Sequence, residues 1–229
     1  MRSLNATTLV APLMRKQVTN TRSVHPPIEI LRDKIVCGEL VAGCKVNEVQ
    51  LAETLGVSRT PLREALRGLQ AEGFIRAEHN RGFWVCELNA QEVRDLYPVV
   101  WTLENLAVAD GWLLLRGSVS KLRSINVDFT KSAKNPSHAA ASDDQFHHTL
   151  ISCSTNRALG GMLASLKTKL RRYELVYMED SNLISLSGEQ HEEIISGIEN
   201  GDLKTTQQAL ERNWRFGMEV LLSALTRTG

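Results

Sequence analysis

No stretch of this chain stays apolar for the roughly 18 residues a helix needs to cross a bilayer, so no membrane-spanning segment is expected. The four cysteines, Cys37, Cys44, Cys86 and Cys153, have neither zinc-ribbon nor redox-pair spacing and read as isolated thiols of a reducing cytoplasm. A nucleophile elbow, a phosphate loop and an HExxH helix are all missing, which removes the commonest hydrolase and nucleotide-binding signatures. Repeats, low-complexity tracts and long alternating strands are missing too; apolar residues recur at helical spacing instead. Charge of one sign is lacking: the formal net charge is +1, and residues 26–90 carry 8 Lys+Arg against 9 Asp+Glu. Affinity for a polyanion must therefore come from focused charge rather than composition. With 42% hydrophobic residues, the 229-residue chain has enough apolar content for a sizeable core, most simply as two domains.

What is present concentrates between Val49 and Gly73, in VQLAETLGVSRTPLREALRGLQAEG. Leu51, Ala52 and Leu55 give a first short helix an apolar stripe, Gly56 permits a sharp bend, and Val57 is expected to bury itself in the turn. Ser58 is placed to cap a second helix, with Pro61 in its first turn. Leu62, Ala65, Leu66 and Leu69 form its inner stripe, so Arg59, Thr60, Arg63 and Arg67 project elsewhere. A recognition helix needs that construction: one face fixes it to its domain while the other carries guanidinium forks for phosphates or a guanine edge. Phe74-Ile75 and Phe83-Trp84-Val85-Cys86 read as two strands joined by a turn at Glu78–Gly82, a β-hairpin behind the two helices. Helices followed by such a hairpin describe a winged helix.

Residues 28–88 resemble the DNA-binding domain of the GntR family of bacterial transcription regulators, through LAETLGVSRTPLREALRGLQAEGFI and the wing NRGFWV. The resemblance implies that Arg59 and Arg63 are the leading contacts to double-stranded operator DNA, with Ser58, Thr60 and Pro61 at the helix start. Asn80, Arg81 and Gly82 would form the wing tip. Arg67, one turn beyond Arg63, either joins them or faces solvent or a partner subunit. Residues 1–26, with 4 basic and no acidic side chains, have no well-formed signal-peptide core and read as a flexible arm able to touch DNA through Arg15, Lys16 and Arg22.

Asn89 begins the next unit, with Glu92 expected to complete a capping box. Helices are expected over about 90–115, 118–133, 139–154, 157–179, 187–200 and 202–226, punctuated by Gly117-Ser118, Asn135-Pro136-Ser137, Ser154-Thr155-Asn156 and Gly201. The fold class is thus mainly α, a winged helix-turn-helix over 27–88 and an all-helical bundle over 89–229. This second part resembles the FCD ligand-binding domain of the FadR-like subgroup, through Leu96-Tyr97, Leu103-Glu104, Asp143-Asp144-Gln145-Phe146-His147, Asn156, Glu189-Gln190-His191 and Gly201-Asp202. Six helices resemble the smaller, VanR-like variety.

Asp143 and His147 stand one turn apart on the same helical face, an oxygen and a nitrogen donor for a divalent metal such as zinc or nickel. By the resemblance, His191 supplies a second imidazole, and Asn213 stands where relatives carry a third histidine. Asparagine is the weaker, neutral donor. Three readings stay open: a metal centre, a metal-free polar pocket for an organic ligand, and two histidines that merely satisfy buried polar groups. His148 and Asp144 are read as neighbours pointing away. Pro98 is tolerable in its helix only within an early turn, and it stands in a segment where relatives often carry a ligand-binding arginine. Arg171, and especially Arg172 and Tyr173, are the remaining candidates to hold an effector carboxylate, although Lys167 and Lys169 make a solvated basic face an equal reading.

The implied protein is a bacterial, cytoplasmic, homodimeric transcription regulator, a repressor whose operator affinity is modulated by a small carboxylate metabolite. Two other classes compete: a metal-dependent hydrolase built on Asp143 and His147, and a constitutive architectural DNA-binding protein.

Overall fold

The computed structural model describes residues 26–178 and 180–227. Arg15, Lys16 and Arg22 lie outside the described residues. Helix α1 (Pro27–Val36) begins on a proline whose missing N–H costs nothing there, and it buries Leu31 and Ile35. Asn47 caps α2 (Glu48–Leu55) by accepting from the Gln50 N–H. Gly56 then takes the left-handed conformation, φ 65°, which turns the chain into α3 (Arg59–Ala71). Ser58 occupies the cap position of α3 but its side chain makes no capping bond, contrary to expectation. Val57 is half-buried, not sealed in the turn.

Strands β1 (Ile75–Glu78) and β2 (Gly82–Val85) pair antiparallel, with Asn80 at φ 59° and Gly82 at φ 93° shaping the tip. Residues 43–46 add backbone bonds on the far side of β2: Val46 N–H donates to Phe83, Gly43 N–H to Val85, and Val85 N–H to Cys44. Leu31, Leu62, Leu66, Leu69, Phe74, Ile75, Phe83 and Val85 make one core.

The second core belongs to a bundle of α4 (Ala90–Asp110), α5 (Trp112–Leu115), α6 (Val119–Lys131), α7 (Pro136–Ile151), α8 (Arg157–Met178), α9 (Ser181–Glu199) and α10 (Leu203–Arg227). Among the described residues the bundle has seven helices rather than the expected six, and two boundaries are corrected. The helix expected to reach residue 115 ends at Asp110, because a Cβ at Gly111 would stand 2.5 Å from the Cys153 backbone carbon; the α7–α8 loop crosses there. Helix α9 starts six residues earlier than its expected start at 187, capped by Asp180. Gly188 lies within α9 and lets α6 come close, since a Cβ there would meet Thr130 at 2.4 Å. Pro98 sits well inside α4; the carbonyl it deprives of a partner belongs to Arg94, an exposed residue whose backbone water can satisfy. Among the described residues no helix is long and apolar enough to cross a membrane.

Candidate functional site

Helix α3 divides as its sequence implies. Leu62, Leu66 and Leu69 are fully buried, while Ser58, Arg59, Thr60, Arg63 and Arg67 are exposed and Pro61 is half-buried. The Arg63 guanidinium stands 3.4 Å from Glu48 and lies over the Phe83 ring, which holds it between α2 and the wing. Lys45, Arg63, Asn80 and Arg81 line an open groove with a volume of about 790 Å³ between the helices and the wing. Arg81 projects from the tip, its side chain 77% exposed.

In the bundle, Asp143 and His147 from α7 meet His191 from α9, one donor atom of each lying within 4.8 Å of the others. The two imidazoles are oriented from behind. His147 Nδ1 is 2.8 Å from Glu104 Oε2, an acceptor, so Nδ1 carries the proton and Nε2 is left for the centre. Trp214 Nε1 donates to the same oxygen at 2.7 Å. For His191 the orienting group is Asn126, whose Nδ2 donates to the Gly188 carbonyl at 2.9 Å; its Oδ1 therefore accepts from His191 Nδ1 at 3.1 Å. The close α6–α9 approach at Gly188 makes that chain of bonds possible. Phe146 stacks on the His191 ring, centroids 3.9 Å apart.

His191 Nε2 thus points a lone pair toward the Asp143 Oδ1 acceptor, 3.4 Å away, and is buried without a hydrogen-bond partner. Two buried acceptors facing one another at that distance call for a cation or a shared proton. Asn213 joins the rim: its Nδ2 donates to Ser187 Oγ at 3.2 Å and Gln190 Oε1 at 3.0 Å, leaving the amide oxygen to offer. The cluster is therefore able to chelate a divalent metal. Its cavity, between Tyr97, Asp143, His147, Met178, Ser187, Asn213 and Trp214, has a volume of about 40 Å³.

The electrostatics agree with the geometry. Burial alone would raise the Glu104 carboxyl, but His147 and Lys167 outweigh it and hold it low. Burial likewise opposes the low Asp143 carboxyl, which His191 and His147 secure. The His147 imidazole would fall on burial, yet Glu104 draws it upward; for His191 burial wins and its basicity drops.

Two placements correct the sequence reading. Arg172 and Tyr173 do not line this cavity. Both are buried where α8 meets the winged helix: Arg172 and the Tyr173 hydroxyl bind the Glu92 carboxylate, the Asn89 N–H donates to Tyr173 Oη at 3.1 Å, and the guanidinium lies over Phe74. Glu92 is consequently not available for the expected capping box; Asn89 caps α4 alone, through Gln91 N–H. Lys167 is no solvated cation either. It is 7% exposed and paired with Glu104 at 3.5 Å and Asp144 at 3.3 Å, so Asp144 is more than a solvated neighbour. Glu104 was not singled out as a site residue. Its signal was its register, since Val93, Tyr97, Val100, Ala107 and Val108 put it on the buried stripe of α4, where an unpaired carboxylate would be costly.

Residues 28–85 match the family model "Bacterial regulatory proteins, gntR family", and residues 95–216 match the FCD domain. The chain is 33% identical over 159 residues to the Nta operon transcriptional regulator of Aminobacter aminovorans, covering 67% of this chain and 73% of that one. It is 25% identical over 202 residues to the uncharacterized HTH-type transcriptional regulator YdhC of Bacillus subtilis, covering 85% and 89%. Among solved structures, E. coli McbR/YncC shares the fold at TM-score 0.73 with 18% identity, over 87% of this chain and 96% of that one. A GntR-type regulator from Rhodococcus sp. RHA1 does so at 0.71 with 21% identity, over 86% and 96%. With a winged helix in front of an FCD domain, the chain belongs to the GntR family of bacterial regulatory proteins: it is a DNA-binding transcription regulator, not an enzyme.

Proposed function

We propose that the protein is a homodimeric, FadR-like repressor of the VanR-like variety that loosens its grip on a palindromic operator when a small carboxylate metabolite enters the bundle. Arg59 and Arg63, behind Ser58, Thr60 and Pro61, contact the major groove, while Asn80, Arg81 and Gly82 contact the adjoining backbone or minor groove; Arg67 reinforces the phosphate contacts. Asp143, His147, His191 and Asn213 hold zinc or nickel. The observation that carries the reading is the convergence of Asp143 and two imidazoles whose Nδ1 atoms are already engaged by Glu104 and Asn126. Such a metal would supply open coordination positions for a carboxylate.

The route to the DNA-binding domain lies along α8. Met178 lines the metal cavity, Lys167 touches Glu104, and Arg172 and Tyr173 clamp Glu92 beside Phe74. A cavity of about 40 Å³ has room for an ion and a water, a water occupying about 30 Å³ in the liquid. An organic acid must therefore displace a wall, and displacement of α8 reaches the junction directly. The exposed Leu113 and Leu114 on α5, at 87% and 65%, and the exposed Leu106 on α4 support subunit contact through the bundle. The test is binding of a duplex selected from a randomised library, measured across a panel of organic acids with and without chelator. An acid that shifts operator affinity in the metal-loaded but not the stripped protein supports the reading; operator binding indifferent to every acid opposes it.

A further inference from the structure

On the side proposed to meet DNA, the groove between the helices and the wing carries carboxylates among its cations. Lys45, Arg63 and Arg81 line it, but so do Glu48 and Glu78. Beside a polyanion each acid costs affinity. Both stand against arginines: Glu48 is 3.4 Å from Arg63, and Glu78 is 3.8 Å from Arg81 and also paired with Arg76. Glu48 opens α2 directly after the Asn47 cap, and its side chain is only 24% exposed where that of Arg63 is 54% exposed. Its Oε2 faces Arg63 Nε, while its Oε1 reaches the wing, 3.6 Å from where a Cβ at Gly82 would stand. The carboxylate therefore bridges recognition helix and wing, with the Phe83 ring against the same guanidinium. A pair this long on a half-exposed arginine adds little to stability, so its placement in the groove needs another account. The contact is made at Nε, which leaves Nη1 and Nη2 to donate elsewhere, a fork that fits guanine O6 and N7. An arginine without that neighbour would serve any phosphate equally well. We infer that Glu48 is a specificity-determining residue: it positions Arg63 for a guanine edge and offsets its charge, so that Arg63 favours the operator over unrelated DNA. The inference rests on the proposed contact of Arg63 with the major groove.

The test compares two duplexes by fluorescence anisotropy on the full-length protein: one selected from a randomised library with the wild-type protein, and one of the same composition in scrambled order. Glu48→Gln should lower the ratio of the scrambled to the selected dissociation constant about tenfold, within what a bidentate guanine contact supplies. On the scrambled duplex its salt slope should steepen by about 0.9, the mark of one more phosphate contact. Repulsion between Glu48 and phosphate acts on both duplexes and drops out of the ratio. In an Arg63→Ala background, Glu48→Gln should leave the ratio where Arg63→Ala alone puts it. A thermal melt confirms that each variant folds. If Arg63→Ala weakens binding of the selected duplex while Glu48→Gln keeps the wild-type ratio, the inference is overturned and the Arg63 contact stands. A fall in the ratio that persists without Arg63 overturns it too, because Glu48 then acts by another route. If Arg63→Ala binds both duplexes as wild type does, the contact and the inference fall together.

Discussion

Replacing Glu104 by glutamine tests the centre without touching a metal ligand. The side chain is fully buried, and one oxygen accepts from both His147 and Trp214 while the other faces Lys167. An amide oxygen can still accept the first two bonds, but as a neutral group, and the new N–H2 must face the Lys167 ammonium. Hydrogen bonds to a charged acceptor contribute about 1.5–3 kcal/mol against about 1 for neutral ones, so losing the charge should cost the metal-free protein about 3 kcal/mol in all. At about 2–4 °C per kcal/mol for a chain of this size, Tm should fall by about 6–12 °C. Loss of the carboxylate behind a ligating histidine weakens metal about 10–100-fold, or about 1.4–2.7 kcal/mol. A competition titration with a chromophoric chelator reads the second number and calorimetry the first. Metal retention within twofold of wild type, in a variant whose Tm has fallen as stated, would refute the orienting role of Glu104 and confine it to packing.

Arg59→Ala and Arg63→Ala should each weaken operator binding by about 1–3 kcal/mol where a base contact is lost, or lower the salt slope where a phosphate contact is lost; fluorescence anisotropy across a salt series separates the two. If the proposed dimer pairs through the bundle, Leu113→Glu combined with Leu114→Glu should leave the fold intact, both side chains being exposed, yet give a monomer by sedimentation where the parent sediments as a dimer. Tyr173→Phe should spare operator affinity and shrink the effector response, measured as the ratio of operator affinities with and without acid. Its hydroxyl, pushed up to about 12 by burial and by its bond to Glu92, is the donor that holds α8 to the first turn of α4. Because the folded value lies above the unfolded one of about 10, that stabilisation is complete below about pH 10 and lost as pH rises through about 12.

The winged helix was readable because its rules are local. A left-handed glycine, a proline in the first turn and a four-residue apolar stripe each act within one or two turns of the chain, and Gly56, Pro61 and Leu62 through Leu69 stand as expected. The ligand triad was readable for a similar reason: Asp143 and His147 share a helix face, and the resemblance supplied His191. What the sequence concealed was set by partners distant in the chain. Arg172 and Tyr173 read as candidates to hold an effector carboxylate, with a solvated basic face an equal reading. The carboxylate they hold is their own Glu92, 80 residues away from Arg172 in sequence. Lys167 was read as solvated on the strength of its basic neighbours, and only the packing of α8 on α4 turns it inward to Glu104.

Asn213 gives the centre a particular energetic character. In the proposed metal centre, three strong ligands and an amide oxygen would hold a divalent ion less tightly than three imidazoles and a carboxylate, and both amide protons are already engaged by Ser187 and Gln190 on α9. A carboxylate arriving at the metal therefore competes with a weak neutral donor rather than with a histidine. Moving a two-state equilibrium from 1:99 to 99:1 requires about 5.5 kcal/mol of differential affinity. A coordination position that would change from amide to carboxylate on effector binding is one place for that difference to arise, and movement of the cavity lining would carry it to α8. Asn213→His should consequently retain metal more tightly while responding less to the acid. Tighter retention with an undiminished response would mean that the effector acts elsewhere than at the metal.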